Sequence, residues 1–266
     1  MAKKHNNARR SPFAAVVVIL AGLLVTGGGY SVANAVVSHQ GETTAVDAGS
    51  VTEGKNLFQA NCASCHGKNA EGTSFAPSLI GVGAASVDFQ VGTGRMPAQA
   101  SGPQMTDKTP QFTDAQIKAL AAYVASLAPG PAVPSGKYVN PVTDPEALSK
   151  GGELFRINCA MCHNAVGAGG ALTEGKWALN LKDTSNVEMY EAMITGPQNM
   201  PVFSDANLSP EKKQQIISYL TYLQNNPSPG GEELANLGPV AEGLFAWIFM
   251  LGGIVLITIW LGAKSN

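Results

Sequence analysis

Charge is in short supply in this chain: 14% of its 266 residues are charged, against about 25% in ordinary soluble proteins. Part of the chain therefore belongs in lipid. Positive charge is scarcer still in the middle. Lys3, Lys4, Arg9 and Arg10 precede the first apolar run and Lys264 follows the last, which leaves 12 basic against 19 acidic residues in between, a balance of −7. An acidic exterior offers no electrostatic footprint for nucleic acid, and that class of partner is excluded. Cysteine and histidine number only four each, so where they stand matters. Glycine and proline, at 30 and 16, are plentiful and imply many loops.

The length suits one large domain or two small ones with attachments. Gly243 to Ala263 is 21 residues without a charge, against about 20 needed to cross the hydrocarbon core. Trp247 and Trp260 lie near its ends, where indoles favour the interface, and Lys264 falls on the cytoplasmic side. The N-terminal run, "FAAVVVILAGLLV", is 13 residues. With its basic flank and the following "VANA" it fits either a retained anchor, the reading taken here, or a cleaved signal peptide. Both send the middle of the chain out of the cytoplasm.

That middle is a repeat. "GKNLFQANCASCHG" and "GGELFRINCAMCHN" match at an offset of 97, pairing Gly54 with Gly151, Phe58 with Phe155 and Asn61 with Asn158. "FTDAQIKALAAYVASL" and "LSPEKKQQIISYLTYL" match at 96, pairing Tyr123 with Tyr219 and Leu127 with Leu223. Each unit opens with a helix running into its cysteines and closes with an amphipathic helix. Thr113 with Gln116 forms a capping box, and Ser209 caps ahead of Pro210. Gly54 and Gly151 are expected to let each opening helix approach its closing helix near Tyr123 or Tyr219.

The boundaries expected are a cytoplasmic tail over 1–10, an N-terminal transmembrane anchor over 11–35, and a linker over 36–50. A first domain over 51–128, a Pro/Gly-rich linker over 129–148 and a second domain over 149–226 follow. A linker over 227–240, a transmembrane helix over 241–263 and a tail over 264–266 close the chain. Domains of under 80 residues are too small to bury a generous apolar core from side chains alone.

Cysteines at i and i+3 share one face of a helical turn, and histidine at i+4 continues it. Cys62, Cys65 and His66, and again Cys159, Cys162 and His163, make the Cys-x-x-Cys-His signature of covalent c-type haem. Two thiols fix the macrocycle while the histidine reaches the iron, and the porphyrin fills the missing core. Two disulfides would not require the histidines. A single zinc site would have to draw ligands from both repeats, and a thioredoxin-like pair lacks its βαβ context. His5 and His39, in the tail and the outer linker, are assigned no ligand role.

A methionine as second axial ligand would raise the reduction potential. Met96 in "GTGRMPA" and Met200 in "TGPQNMPVF" stand in matching loops, each followed by proline and each between a haem motif and a closing helix. Met105 competes in the first unit, Met189 and Met193 in the second, each with packing as its ordinary role. Met161 lies inside the motif turn.

Two haem units in tandem, the strings "GGELFRINCAMCHNAVGAGGALTEGKWALNL", "SLIGVG" before "FQVGTGRMPA", and "TGPQNMP", and a C-terminal membrane helix together resemble cytochrome cc. This is the dihaem cytochrome c subunit of the actinobacterial menaquinol-oxidising cytochrome bcc complex. The resemblance covers residues 51 to 263. It implies two tandem class I cytochrome c domains, mainly α, between two transmembrane helices, with both termini cytoplasmic and both haem domains outside the plasma membrane. It also implies that a Rieske iron-sulfur protein, reduced at a cytochrome b subunit, passes one electron to the first haem (His66, Met96). The electron goes on to the second haem (His163, Met200) and then to the copper centre of a haem-copper oxidase.

In class I cytochromes a proline carbonyl receives the proximal histidine's proton. Pro77 matches that role for His66, whereas Leu179 stands where the second unit should have proline. No residue is assigned to quinone or proton chemistry, and no dense ring of lysines suggests a diffusing carrier. The alternatives are a dihaem subunit of another oxidase or a dehydrogenase, a dihaem enzyme with an open distal site, and a scaffold for an oxidase.

Overall fold

The computed structural model describes residues 12–38, 48–100, 102–226 and 239–264. It divides into two units, the first ending at Ala45 and the second beginning at Val46. The expected tail over 1–10, residues 265–266 of the expected tail over 264–266, most of the outer linker and most of the linker over 227–240 lie outside the described residues.

The first unit holds α1 (Pro12–Ser38), whose uninterrupted apolar stretch is Val16–Gly28. No residue of Pro12–Ser38 is charged, so nothing in the sequence interrupts the helix with a solvated face.

In the second unit the repeat of the sequence is a repeat of structure. α2 (Ala48–Asn61) and α6 (Pro145–Asn158) open the two halves. The short turns α3 (Ala63–His66) and α7 (Ala160–His163) carry the motifs. α4 (Gly83–Gly92) and α8 (Asn186–Thr195) follow, and α5 (Asp114–Leu127) and α9 (Pro210–Asn225) close the halves. Each opening helix packs on its own closing helix.

Glycine makes that contact possible. A Cβ at Gly54 would lie 2.5 Å from the Ala119 carbonyl carbon and 2.9 Å from Tyr123 Cβ, and one at Gly151 would lie 2.6 Å from the Gln215 carbonyl carbon and 3.1 Å from Tyr219 Cβ. Beside each crossing the same ring pair recurs, Phe58 with Tyr123 at 5.3 Å between centroids and Phe155 with Tyr219 at 5.8 Å. Phe58, Leu120 and Val124 centre one apolar core; Phe155, Ile216 and Ile217 centre the other.

The helix starts follow the expected chemistry. Thr113 and Gln116 close a capping box at α5, and the Ser209 side chain accepts from Lys212 N ahead of Pro210. Ser185 with Glu188 forms a further capping box at α8. The second half also holds a hairpin, with β1 (Gly170–Ala171) antiparallel to β2 (Trp177–Ala178). Its turn uses positive φ at Glu174 and Gly175.

The segment expected to link the halves is ordered against both. Ala85 N donates to Pro131 O at 3.1 Å. Further on, a 3-10 turn over Gly136–Val139 lies along α9: Tyr138 donates to Glu211, and Gln214 donates to the carbonyls of Lys137 and Asn140. Val139 is part of the second core.

The halves also touch directly. α4 packs on α8, Trp177 N donates to Gln104 Oε1 at 2.9 Å, and Met105 N donates to Gln198 Oε1 at 3.4 Å. At the C-terminal end, α10 (Pro239–Ala246), a π turn (Trp247–Leu251) and α11 (Gly252–Lys264) run on as one helix. Its span Glu242–Lys264 is 23 residues with a mean hydropathy of 2.4. At 1.5 Å per residue such a helix is about 35 Å long, enough for the ~30 Å hydrocarbon core. Among the described residues it is the one helix long and apolar enough to cross a membrane.

Candidate functional site

The two motif turns have the same backbone. Each opening helix ends at an asparagine, Asn61 or Asn158, whose side chain donates back to Leu57 O or Leu154 O at 2.8 Å. The chain then bends at the first cysteine, with φ −121 and ψ −30 at Cys62 and φ −122 and ψ −34 at Cys159. One further turn carries the second cysteine and the histidine, with His66 N on Cys62 O and His163 N on Cys159 O, both at 2.9 Å. The chain reverses at once through positive φ at Gly67 and Asn164. It is tied back by Gly72 N on His66 O at 2.8 Å and Gly169 N on His163 O at 2.9 Å.

Gly72 and Gly169 lie six residues after their histidines, and both have positive φ. A side chain at either would run into the backbone that approaches the histidine, at Ser78 or at Ala178 and Leu179. The offset of 97 continues through this pair, and that was the sequence signal for a role not assigned to them above.

The histidines are oriented alike. His66 Nδ1 is 2.8 Å from Pro77 O and His163 Nδ1 is 3.1 Å from Leu179 O. A carbonyl only accepts, so each bond places the proton on Nδ1 and leaves Nε2 bare, the form that binds iron. Leu179 thus supplies the carbonyl that proline supplies in the first half. It lies 16 residues after its histidine rather than 11, and the hairpin takes up the difference. Burial lowers the pKa of His163, keeping the ring neutral, with the Leu179 carbonyl working against that shift.

No disulfide joins any of the four cysteines. Burial, reinforced by the neighbouring thiol of its own motif, pushes Cys62 and Cys159 each up to about 11. Such surroundings disfavour the thiolate at Cys62 and Cys159. Among the described residues no three His, Cys, Asp or Glu side chains converge on a point that could hold a bare metal ion.

In the second half Cys159, Cys162, His163 and Met200 all line one cavity of about 610 Å³, inside the range of about 300–1,000 Å³ for cofactor sites. Its walls are mostly apolar, and Met189 and Met193 from α8 also reach it. A flat, largely apolar macrocycle fits this space, with a sulfur pair and a bare imidazole nitrogen at one wall. In the first half His66 is buried at the end of α3, Cys62 caps that turn and Cys65 lies within it, and Met96 packs on the same core as Cys62. Met161 is 93% exposed.

Sequence reasoning missed two polar groups at the contact between the halves. Arg95, next to Met96, is buried and lines the second half's cavity. Glu191 on α8 is 1% exposed, its Oε1 is buried without a hydrogen-bond partner among the described residues, and Asp88 on α4 is close enough to act on it electrostatically. Burial, with the Asp88 charge adding to it, pushes the Glu191 carboxyl up to about 9.

Two helical units of this build, each with a Cys-x-x-Cys-His turn between an opening and a closing helix, define a tandem of cytochrome c domains. The family model "Cytochrome c" matches residues 51–128, and "Cytochrome C oxidase, cbb3-type, subunit III" matches residues 146–220. Over 228 residues the chain is 45% identical to the cytochrome bc1 complex cytochrome c subunit of Corynebacterium efficiens, covering 81% of this chain and 77% of that one. The subunit of the same name from Corynebacterium diphtheriae is 42% identical, with 81% of each chain covered. That from Mycobacterium tuberculosis is 45% identical, covering 80% of this chain and 77% of its own. The chain belongs to the family of cytochrome c subunits of the cytochrome bc1 complex, and its work is electron transport in a respiratory complex by c-type haem.

Proposed function

We propose that the chain is a membrane-tethered relay with two covalently bound haem c groups. Cys62 and Cys65 hold the first through thioethers and Cys159 and Cys162 the second. His66 and Met96 would ligate the first iron, and His163 and Met200 the second. When bound, each haem supplies a one-electron couple, and thioether ligation sets its potential high.

The chain's own residues fix the geometry of that couple. Pro77 and Leu179 hold the imidazoles by their Nδ1 protons, and the asparagine and glycine ties described above fix the turns that carry the cysteines. The mostly apolar walls of the cavity would limit water at the second haem. The observation that carries the reading is the cavity of about 610 Å³ with Cys159, Cys162, His163 and Met200 on its walls.

Within the complex the relay takes electrons from a Rieske iron-sulfur protein, reduced beside a cytochrome b that oxidises menaquinol. It delivers them to the copper centre of a haem-copper oxidase. The C-terminal span Glu242–Lys264 and a retained α1 anchor the chain at both ends, with both domains outside the plasma membrane. A tether supports this role because it replaces charge steering by effective concentration, in keeping with the acidic middle of the chain.

The test is to purify the tagged full-length chain in mild detergent with whatever accompanies it and record reduced-minus-oxidised spectra. Bands of b-type and a-type haem beside the c-type band are expected. A c-type band alone would remove the oxidase from the proposal, and carbon monoxide binding to either ferrous haem would overturn the methionine assignment there.

A further inference from the structure

The cavity of the second domain is not made by the second domain alone. Phe89, Arg95, Gln104 and Lys108, all from the first domain, form part of its wall. The loop carrying three of them is fastened across the boundary by two hydrogen bonds, Trp177 N to Gln104 Oε1 and Met105 N to Gln198 Oε1.

Of the two cations on that wall, Lys108 is engaged, its ammonium donating to Pro97 O at 2.6 Å. Arg95 is not. Its side chain is 4% exposed and its guanidinium stands 4.9 Å over the centroid of the Phe89 ring. Among the described residues no hydrogen bond or ion pair engages the guanidinium. Asp107 and Glu188 are close enough to act on it electrostatically but do not contact it. A guanidinium has five N–H donors, and leaving such a charge unpaired in a protein interior is unfavourable. Asp107 and Glu188 line the same cavity without forming an ion pair with it, and a carboxylate bound inside the cavity would give its donors direct partners.

Given the haem assignment above, the anion is already part of the site. The macrocycle carries two propionate carboxylates, and carboxylate is the group that a guanidinium binds best, through two parallel hydrogen bonds. We infer that Arg95 of the first domain holds a propionate of the haem attached in the second domain. It is a positioning residue across the domain boundary. The loop that presents Met96 to one iron thereby orients and electrically balances the other haem, and the second site is complete only when the domains are docked.

A cation paired with a propionate offsets negative charge and favours the reduced state. In full-length, haem-loaded protein, Arg95→Leu is therefore expected to lower the midpoint potential of the second haem. It should also shift a propionate-bending band in the resonance Raman spectrum. Arg95→Lys, which keeps the charge but not the fork, should recover part of both. The two redox waves are assigned with the Met96 and Met200 ligand variants.

Unchanged bands and an unchanged second wave in Arg95→Leu would overturn the inference. So would a shift confined to the first wave, which would put the guanidinium on its own domain's haem. If Arg95→Leu does not mature, Arg95→Gln gives the same readings without charge, and covalent haem content is checked first. Absence of haem on the peptide bearing Cys159 and Cys162 in the parent protein would sink the haem assignment itself. Haem present with no Arg95 effect would sink only this inference.

Discussion

Replacing Gly151 by alanine tests how far the second domain depends on one close helix crossing. The added Cβ would lie 2.6 Å from the Gln215 carbonyl carbon and 3.1 Å from Tyr219 Cβ, against 3.4–4 Å for ordinary contact. α6 and α9 would have to part by about 0.8 Å or more. Overpacking of this kind costs about 1–3 kcal/mol, and here backbone rather than a flexible side-chain tip is in the way, which places the cost at about 3 kcal/mol. For a domain of this size each kcal/mol moves the melting temperature by about 4–8 °C, so a fall of about 12–24 °C is expected.

The neighbour Gly152 supplies the control. A Cβ there meets the Tyr219 ring at 3.0 Å and the Arg156 guanidinium at 3.2 Å, side-chain atoms that can give way. Gly152→Ala should therefore lose about a third as much or less. The assay is thermal unfolding of the haem-loaded chain, followed by the sulfur-to-iron charge-transfer band of the oxidised protein, which reports methionine ligation. Equal melting temperatures for the two variants, or a Gly151→Ala value within about 2 °C of the parent, would refute the argument that backbone contact sets the cost.

Three further outcomes are expected. Burial, with Asp88 beside it, raises the Glu191 carboxyl from near 4.5 to about 9, and burial raises Asp88 too, with Glu188, Asp114 and Lys118 as the other charges close by. The folded chain therefore holds a proton that the unfolded chain releases. Stability from this group is full below about pH 4.5 and falls as pH rises towards 9, so the hydrogen-exchange protection factors of α8, corrected for the base-catalysed intrinsic rate, should fall from pH 6 to 9. Glu191→Gln should remove that trend, and a parent profile flat with pH would contradict it. Lys213 is 0% exposed with its ammonium 2.5 Å from Asp205, so Asp205→Ala strands a buried charge and should cost about 2 kcal/mol or more. Lys213→Met should cost less in the same melts, because it removes the charge with its partner's purpose. Thr113→Ala opens the capping box of α5 and should cost about 1 kcal/mol by denaturant titration, an unchanged midpoint being the contrary result.

What the sequence revealed was what is local or repeated. The offset of 97 located the motif turns, and the paired glycines and tyrosines told where the helices would cross, because close approach is a property of a single position. The capping residues at Thr113 and Ser209 act within one turn, so they could be read directly. The capping box at Ser185 obeys the same rule and went unnoticed just ahead of Met189, which was under consideration as a ligand. The hairpin over Gly170–Ala178 was hidden because Trp177 and Leu179 sit in a string that also reads as loop. Arg95 and Glu191 could not be found at all from pattern: charged residues are ordinarily exposed, and nothing in their spacing tells which faces of two domains will meet.

The segment between the domains has a consequence for how electrons are timed. Pro131 is fixed to α4, and from Lys137 onwards the chain is fixed to α9. Only residues 132–136 lie between these two attachments. A strap that short would hold a momentarily separated pair at an effective concentration of millimolar order. Re-docking would then be quick, and excursions brief. In the relay proposed above, the two centres would meet in one standing arrangement, and the interval between hops would be set by the interface rather than left to a search.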